Sequence, residues 1–130
     1  MKEMALREML GEGLAELVLE AEPVGSRITC DPPVMDTDED WLLWVKSLPK
    51  FRAIATKVFG WDLGSSLEGM ENFASFDKGD VNLIVTEKRE FFHKFMCASD
   101  ICKRLNVLEK EDRIFVFQAV LYGNRYGSIE

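Results

Sequence analysis

Gly25-Ser26-Arg27 is followed, ten residues later, by Asp38-Glu39-Asp40 at the entrance to the apolar run Trp41-Leu42-Leu43-Trp44-Val45. Alternate residues of a strand share a face, so Asp38 and Asp40 would present two carboxylates together at its mouth. Carboxylates held that close repel, and a divalent cation relieves the repulsion. Mg²⁺ favours such oxygen ligands while keeping waters and substrate phosphates in its shell. Gly25 lets the backbone approach a phosphate, and Ser26 offers a hydroxyl and a backbone N–H. Arg27 adds a charge-assisted contact. A Gly-Ser pair alone is an ordinary turn: Gly64-Ser65 in this chain has no Asp-x-Asp behind it. The order and spacing of the two elements give them meaning.

Other chemistries find less support. His93, Cys97 and Cys102 do not converge at zinc-ligand spacing, since 93 and 97 share a helix face and 102 is rotated away. One histidine without a partner acid or nucleophile gives little for triad catalysis. Lys78, in a turn beside Asp80, is a candidate phosphate contact, against the ordinary reading of a solvated turn lysine. Trp61 or Phe59 could stack on a nucleobase, and the 60–69 segment could form a lid or a plain surface connection.

In Gly25-Ser26-Arg27 and in Asp38 and Asp40 ahead of Trp41-Leu42-Leu43, the sequence resembles the polymerase-beta-type nucleotidyltransferase superfamily, especially its minimal single-domain members. The whole chain looks like small phage-encoded members of that superfamily. The resemblance implies a Gly-Ser turn after a first strand, Asp-x-Asp on the next and a third carboxylate on a later one. It implies a nucleoside triphosphate bound with Mg²⁺, and transfer of a nucleoside monophosphate to a hydroxyl acceptor on a protein, an RNA or a small molecule. Asp38 and Asp40 would be metal ligands and catalytic residues, and Gly25, Ser26 and Arg27 would hold the triphosphate. The strand for the third acid reads Asp80-Val81-Asn82-Leu83. Either Asp80 serves as third ligand, or position 82 is the family's acid position and holds an amide here. The second case implies an inactive interaction protein of the same fold. A segment Cys30-Asp31-Pro32-Pro33 also stands where the family has a short polar turn.

The elements that would position these groups follow from periodicity. Residues 2–16 read as a helix with Leu6, Leu10 and Leu14 on one stripe, and 17–19 as a short strand. Residues 27–37, with two prolines, form a loop. Residues 41–45 suit a strand buried on both faces, with Trp41 and Trp44 on opposite sides. Residues 48–59 look helical, with Pro49 in the first turn, and 60–69 form a loop. Strands at 72–76 and 81–86 flank a four-residue turn, 77–80. The spacing predicts a long helix over 87–106, N-capped by Thr86, and a last helix over 109–122 closed by Gly123-Asn124. The expectation is a single α/β (α+β) domain over 1–130, with helices packed on a small mixed sheet.

Composition agrees with a packed core. Of 130 residues, 47% are hydrophobic, including nine Phe and three Trp. The net charge of −7 is concentrated early: residues 1–50 hold 5 basic and 11 acidic residues, and 51–130 hold 11 and 12. Non-specific DNA or RNA binding needs a surplus of Lys and Arg, so that class is disfavoured. The acidic N-terminal half suits a metal-dependent phosphate site, or a surface that binds or inhibits a basic host protein. A role in a toxin–antitoxin pair is compatible but nothing singles it out. No apolar run nears the roughly 20 residues of a membrane-spanning helix, and the N-terminus lacks a signal-peptide core. Three cysteines without a CxxC pair point to reduced thiols. A cytoplasmic chain is the expectation, in the host cytoplasm if phage-encoded. A domain this small also leaves room for a homodimer that completes its site.

Overall fold

The computed structural model describes residues 2–31, 39–64 and 72–123. In chain order the elements are α1 (Lys2–Leu10), α2 (Glu12–Ala15), β1 (Val18–Val24), α3 (Ser26–Thr29), β2 (Glu39–Val45) and α4 (Leu48–Lys57). They continue with β3 (Asp62–Leu63), β4 (Ala74–Lys78), β5 (Val81–Thr86), α5 (Arg89–Leu105) and α6 (Lys110–Tyr122). The strands form one five-stranded sheet in the order β1-β2-β5-β4-β3. β2 and β5 run parallel at its centre, and the other pairs are antiparallel. The expected mixed sheet with packed helices is the architecture observed.

Alternation along β2 and β5 sorts the core into two layers. Trp41, Leu43 and Val45 of β2, with Leu83 and Val85 of β5, pack under Leu10, Leu14 and Phe51 on one face. Leu42 and Ile84 point the other way and meet Phe91 and Phe92 of α5. Trp41 belongs to the first layer and Trp44 packs against the second, as the strand reading required. The central strands are covered on both sides, which explains their near-continuous apolar character.

Several boundaries differ from expectation for identifiable reasons. The helix expected over 2–16 divides at Gly11, whose φ is +86° and where a Cβ would run into the Phe59 ring. The first strand runs to Val24 rather than ending at 19, because β1 is a sheet edge and an edge tolerates Pro23. α3 occupies Ser26–Thr29, inside the segment expected as loop, and a two-residue β3 forms within the 60–69 connection. Asp77 and Lys78 are strand residues of β4, so the hairpin turn shrinks to Gly79-Asp80. The N-cap position of α5 is Lys88 rather than Thr86. The Thr86 hydroxyl instead accepts from Lys88 N–H at 3.0 Å and donates to the Asn72 carbonyl at 2.6 Å. α4 starts as read, with the Ser47 hydroxyl accepting from Lys50 N–H. Among the described residues no helix is long and apolar enough to cross a membrane.

Candidate functional site

Gly25 lies between β1 and α3 at φ +91°, a conformation L side chains rarely adopt. A Cβ on Gly25 would collide with the Asp40 carboxylate. The glycine is thus required twice, by its backbone angle and by the acid lying against it. The register explains the approach: Val24, the residue before the turn, pairs with Asp40 across β1 and β2. The Gly-Ser turn and the acid-bearing strand are brought together as expected. Ser26 and Arg27 follow in α3, both half-buried, and α3 packs against α5.

Asp40 pairs with Asn82 on the parallel strand β5, and Asn82 pairs with Asp77 on β4. Asp77 in turn pairs with Asp62 on β3. Partners in register share a face, so Val24, Asp40, Asn82, Asp77 and Asp62 form a row across the whole sheet on its α5 side. Asn82 sits at the hinge of this row. Its side-chain N–H donates to Asp40 Oδ1 at 3.4 Å, and its Oδ1 accepts from the Ser75 hydroxyl at 3.0 Å. The residue level with Asp40 is therefore an amide that offers the acid a donor.

Asp80 lies in the exposed turn that precedes β5, and its carbonyl accepts from Glu39 N–H at 2.8 Å. It stands where β2 enters the sheet, two residues before the amide that pairs with Asp40. Lys78 is committed elsewhere. Its Nζ donates to the Phe59 carbonyl at 2.9 Å and lies 5.6 Å from the Trp61 ring centre. Trp61 itself is 2% exposed, in the core layer on the opposite sheet face, so its ring is a wall of the core rather than a platform for a base. Asp38 and much of the 60–69 segment lie outside the described residues.

Asp77 was missed because its tetrapeptide resembles a turn. The signal was available: Ala74 and Phe76 are buried, and the alternate positions 75 and 77 must then share the face of Asn82. Also unanticipated is α6 as a wall of the site. Val24, Gly25 and Asp40 open into a groove of about 440 Å³ that runs beneath Lys110, Ile114, Phe117 and Gln118.

A second cluster fixes the chain just beyond the Gly-Ser turn. Asp31 N–H donates to Asn106 Oδ1 at 2.9 Å, and Asn106 Nδ2 donates back to the Asp31 carbonyl at 3.0 Å. Asn106 caps α5 in a left-handed conformation, φ 49°. Arg113 of α6 donates to the Val107 carbonyl at 3.1 Å and approaches Cys30 Sγ at 3.3 Å. Burial raises the pKa of the neighbouring Cys102 thiol, opposed by the Arg113 charge and aided by Cys30.

Oxygen ligands of the Asp40 kind suit Mg²⁺. The described residues bring one carboxylate, Asp40, against the glycine turn. Among them no group of three or more His, Cys, Asp or Glu side chains converges on a common point. The described donors at that point are a single carboxylate, and Asp38 lies outside the described residues. They do not fit a third carboxylate level with Asp40, where the amide of Asn82 stands.

No protein-family model matches the sequence. No curated protein matches it. Among solved structures, the chain is similar to the conserved protein GrpB from Enterococcus faecalis, with a TM-score of 0.52 and 14% identity. The likeness covers 98% of this chain and 91% of the other. At that identity the likeness speaks to the fold alone, a five-stranded mixed sheet flanked by helices.

Proposed function

We propose that this chain is a Mg²⁺-dependent nucleotidyltransferase that moves a nucleoside monophosphate from a nucleoside triphosphate to a hydroxyl acceptor. The observation that carries the reading is the contact of Gly25 with Asp40, where a methyl group has no room. In the proposed reaction the acceptor hydroxyl oxygen forms a bond to the α-phosphorus. The bond from that phosphorus to the β-phosphate oxygen breaks, pyrophosphate leaves, and the hydroxyl proton passes to solvent or a nearby carboxylate. Gly25, Ser26 and Arg27 bind and orient the phosphates, and Asp38 and Asp40, with Asp80, would hold the cation. A bound Mg²⁺ neutralises charge that builds on the phosphate oxygens.

A second reading has its own observation. Asn82 stands level with Asp40 and turns an N–H toward it, and an amide neither replaces a carboxylate ligand nor serves as a base. On this reading the chain binds without transfer, and its acidic N-terminal half engages a basic protein. The test is incubation of the protein with each of the four α-labelled ribonucleoside triphosphates, Mg²⁺ and a host lysate as acceptor source. Metal-dependent label transfer that Asp40→Asn abolishes supports the transferase. Nucleotide binding without label transfer supports the second reading.

A further inference from the structure

α6 is rich in apolar side chains, with Ile114, Phe115, Val116, Phe117, Val120 and Leu121 in succession or near it. Yet no residue of this helix is buried. A helix of that composition in a folded domain ordinarily lays a stripe against the core. Here it lies on α5 and only Leu121 packs against the second core layer, and the groove of about 440 Å³ that begins at Gly25 and Asp40 runs beneath it. That volume is within the usual range, about 300–1,000 Å³, for small-molecule sites.

The walls of the groove are aromatic. Phe91 stacks on Phe73 with ring centres 5.3 Å apart and planes within 20°. Phe117 of α6 meets Phe95 of α5 edge-on at 4.7 Å. Phe91 is 7% exposed and Phe117 half-buried, and a base stacked on an accessible aromatic face gains about 1–3 kcal/mol. Gln118 brings a half-buried amide to the lining, where it can both donate and accept. Lys110 supplies the groove with a cation opposite in sign to Asp40. The groove thus combines a polar, glycine-lined end with an apolar length that also carries Gln118, Lys110 and Tyr122.

We infer that the groove beneath α6 is the subsite for the base of the nucleotide, with Phe91 and Phe117 as its walls and Gln118 reading the base edge. This rests on the nucleotide-binding reading above and adds to it a location for the base. Continuity decides the occupant: a ligand whose phosphates lie at Gly25 and Asp40 has this groove as the adjoining apolar space. Ile114 is 48% exposed and Gln118 half-buried, and neither packs against the core layers, so substitutions at these two positions leave the core intact.

The experiment is titration calorimetry of the four ribonucleoside triphosphates and of inorganic tripolyphosphate, each with Mg²⁺. Wild type is compared with Gln118→Ala and Ile114→Glu. The expected result is that at least one nucleotide binds about tenfold more tightly than tripolyphosphate. Each variant then loses most of that advantage while its tripolyphosphate affinity stays unchanged. Equal affinities for nucleotide and tripolyphosphate in wild type, or variants that keep the advantage, overturn the base subsite and leave the phosphate site standing. Failure of every nucleotide and of tripolyphosphate to bind wild type overturns the nucleotide reading itself and the subsite with it.

Discussion

Asp40 and Asn82 lie side by side on the two parallel central strands, and the Asn82 amide donates to the Asp40 carboxylate at 3.4 Å. This pairing decides how the site is charged. A carboxylate at 82 would face a second acid across one strand spacing, whereas the amide offers a hydrogen bond and no repulsion. It follows that wild type tolerates an empty cation position and that the repulsion can be introduced at will.

Asn82→Asp is expected to cost about 1 kcal/mol in the presence of a chelator, from like charges in register. For a chain of this size that lowers the melting temperature by roughly 3–5 °C. Added Mg²⁺ is expected to recover the loss, and to stabilise the variant more than wild type. Thermal denaturation with chelator and with Mg²⁺ measures both.

Gly25→Ala is expected to destabilise the fold by about 1–3 kcal/mol, through backbone strain at positive φ and displacement of the Asp40 carboxylate. Gly60→Ala is the informative comparison. Its φ is also positive, at +73°, but nothing lies within 4 Å of its Cβ position, so the backbone cost appears there alone. Urea titration of both variants separates strain from collision, and the larger loss is expected at position 25.

Asn106 ties Asp31 to the end of α5 with two hydrogen bonds. Asn106→Gly keeps the left-handed backbone and removes only the bonds, for a cost of about 1–2 kcal/mol. Asn106→Ala adds the penalty of a Cβ in that conformation, about 1 kcal/mol more. Chemical denaturation of the two variants checks the order.

The three thiols differ in access. Cys97 is exposed, while Cys30 and Cys102 are buried. A thiol reagent is expected to label Cys97 in the native protein and the other two only on unfolding. Burial holds the Cys102 proton more tightly in the folded chain than in the unfolded one. Above the ordinary thiol value of 9.0 the unfolded chain therefore releases this proton first. The stability linked to Cys102 is complete below that pH and is lost as pH rises through the raised folded value. Denaturation midpoints of wild type and Cys102→Ala, compared between pH 8 and 10.5, are expected to fall more steeply for wild type.

The parts of the fold that alternation and charge determine were legible in the chain. Trp41 and Trp44 fall on opposite faces as strand periodicity requires, whereas the meeting of the Gly25 turn with the strand of Asp40 followed from the family resemblance. Residues 20–24 gave no such signal: their two glutamates and a proline are acceptable only because β1 is an edge. Asp77 and Lys78 look like turn residues until the buried Ala74 and Phe76 show them continuing a strand. The commitment of Lys78 to Trp61 and the Phe59 carbonyl depends on the return of the chain after α4, a contact between segments that no local pattern encodes. The groove under α6 was illegible for the same reason, since it arises where α6, packed on α5, meets the end of β1 and the start of β2.

The most direct measurement is calorimetric titration of the four nucleoside triphosphates into wild type and into Asp38→Asn/Asp40→Asn, with Mg²⁺ and with chelator. The expected result is binding by wild type that requires Mg²⁺ and that the double variant loses. Wild type that binds no nucleotide in Mg²⁺, or a double variant that binds as well as wild type, would contradict a nucleotide site built on the Gly25 turn and the Asp38 and Asp40 carboxylates.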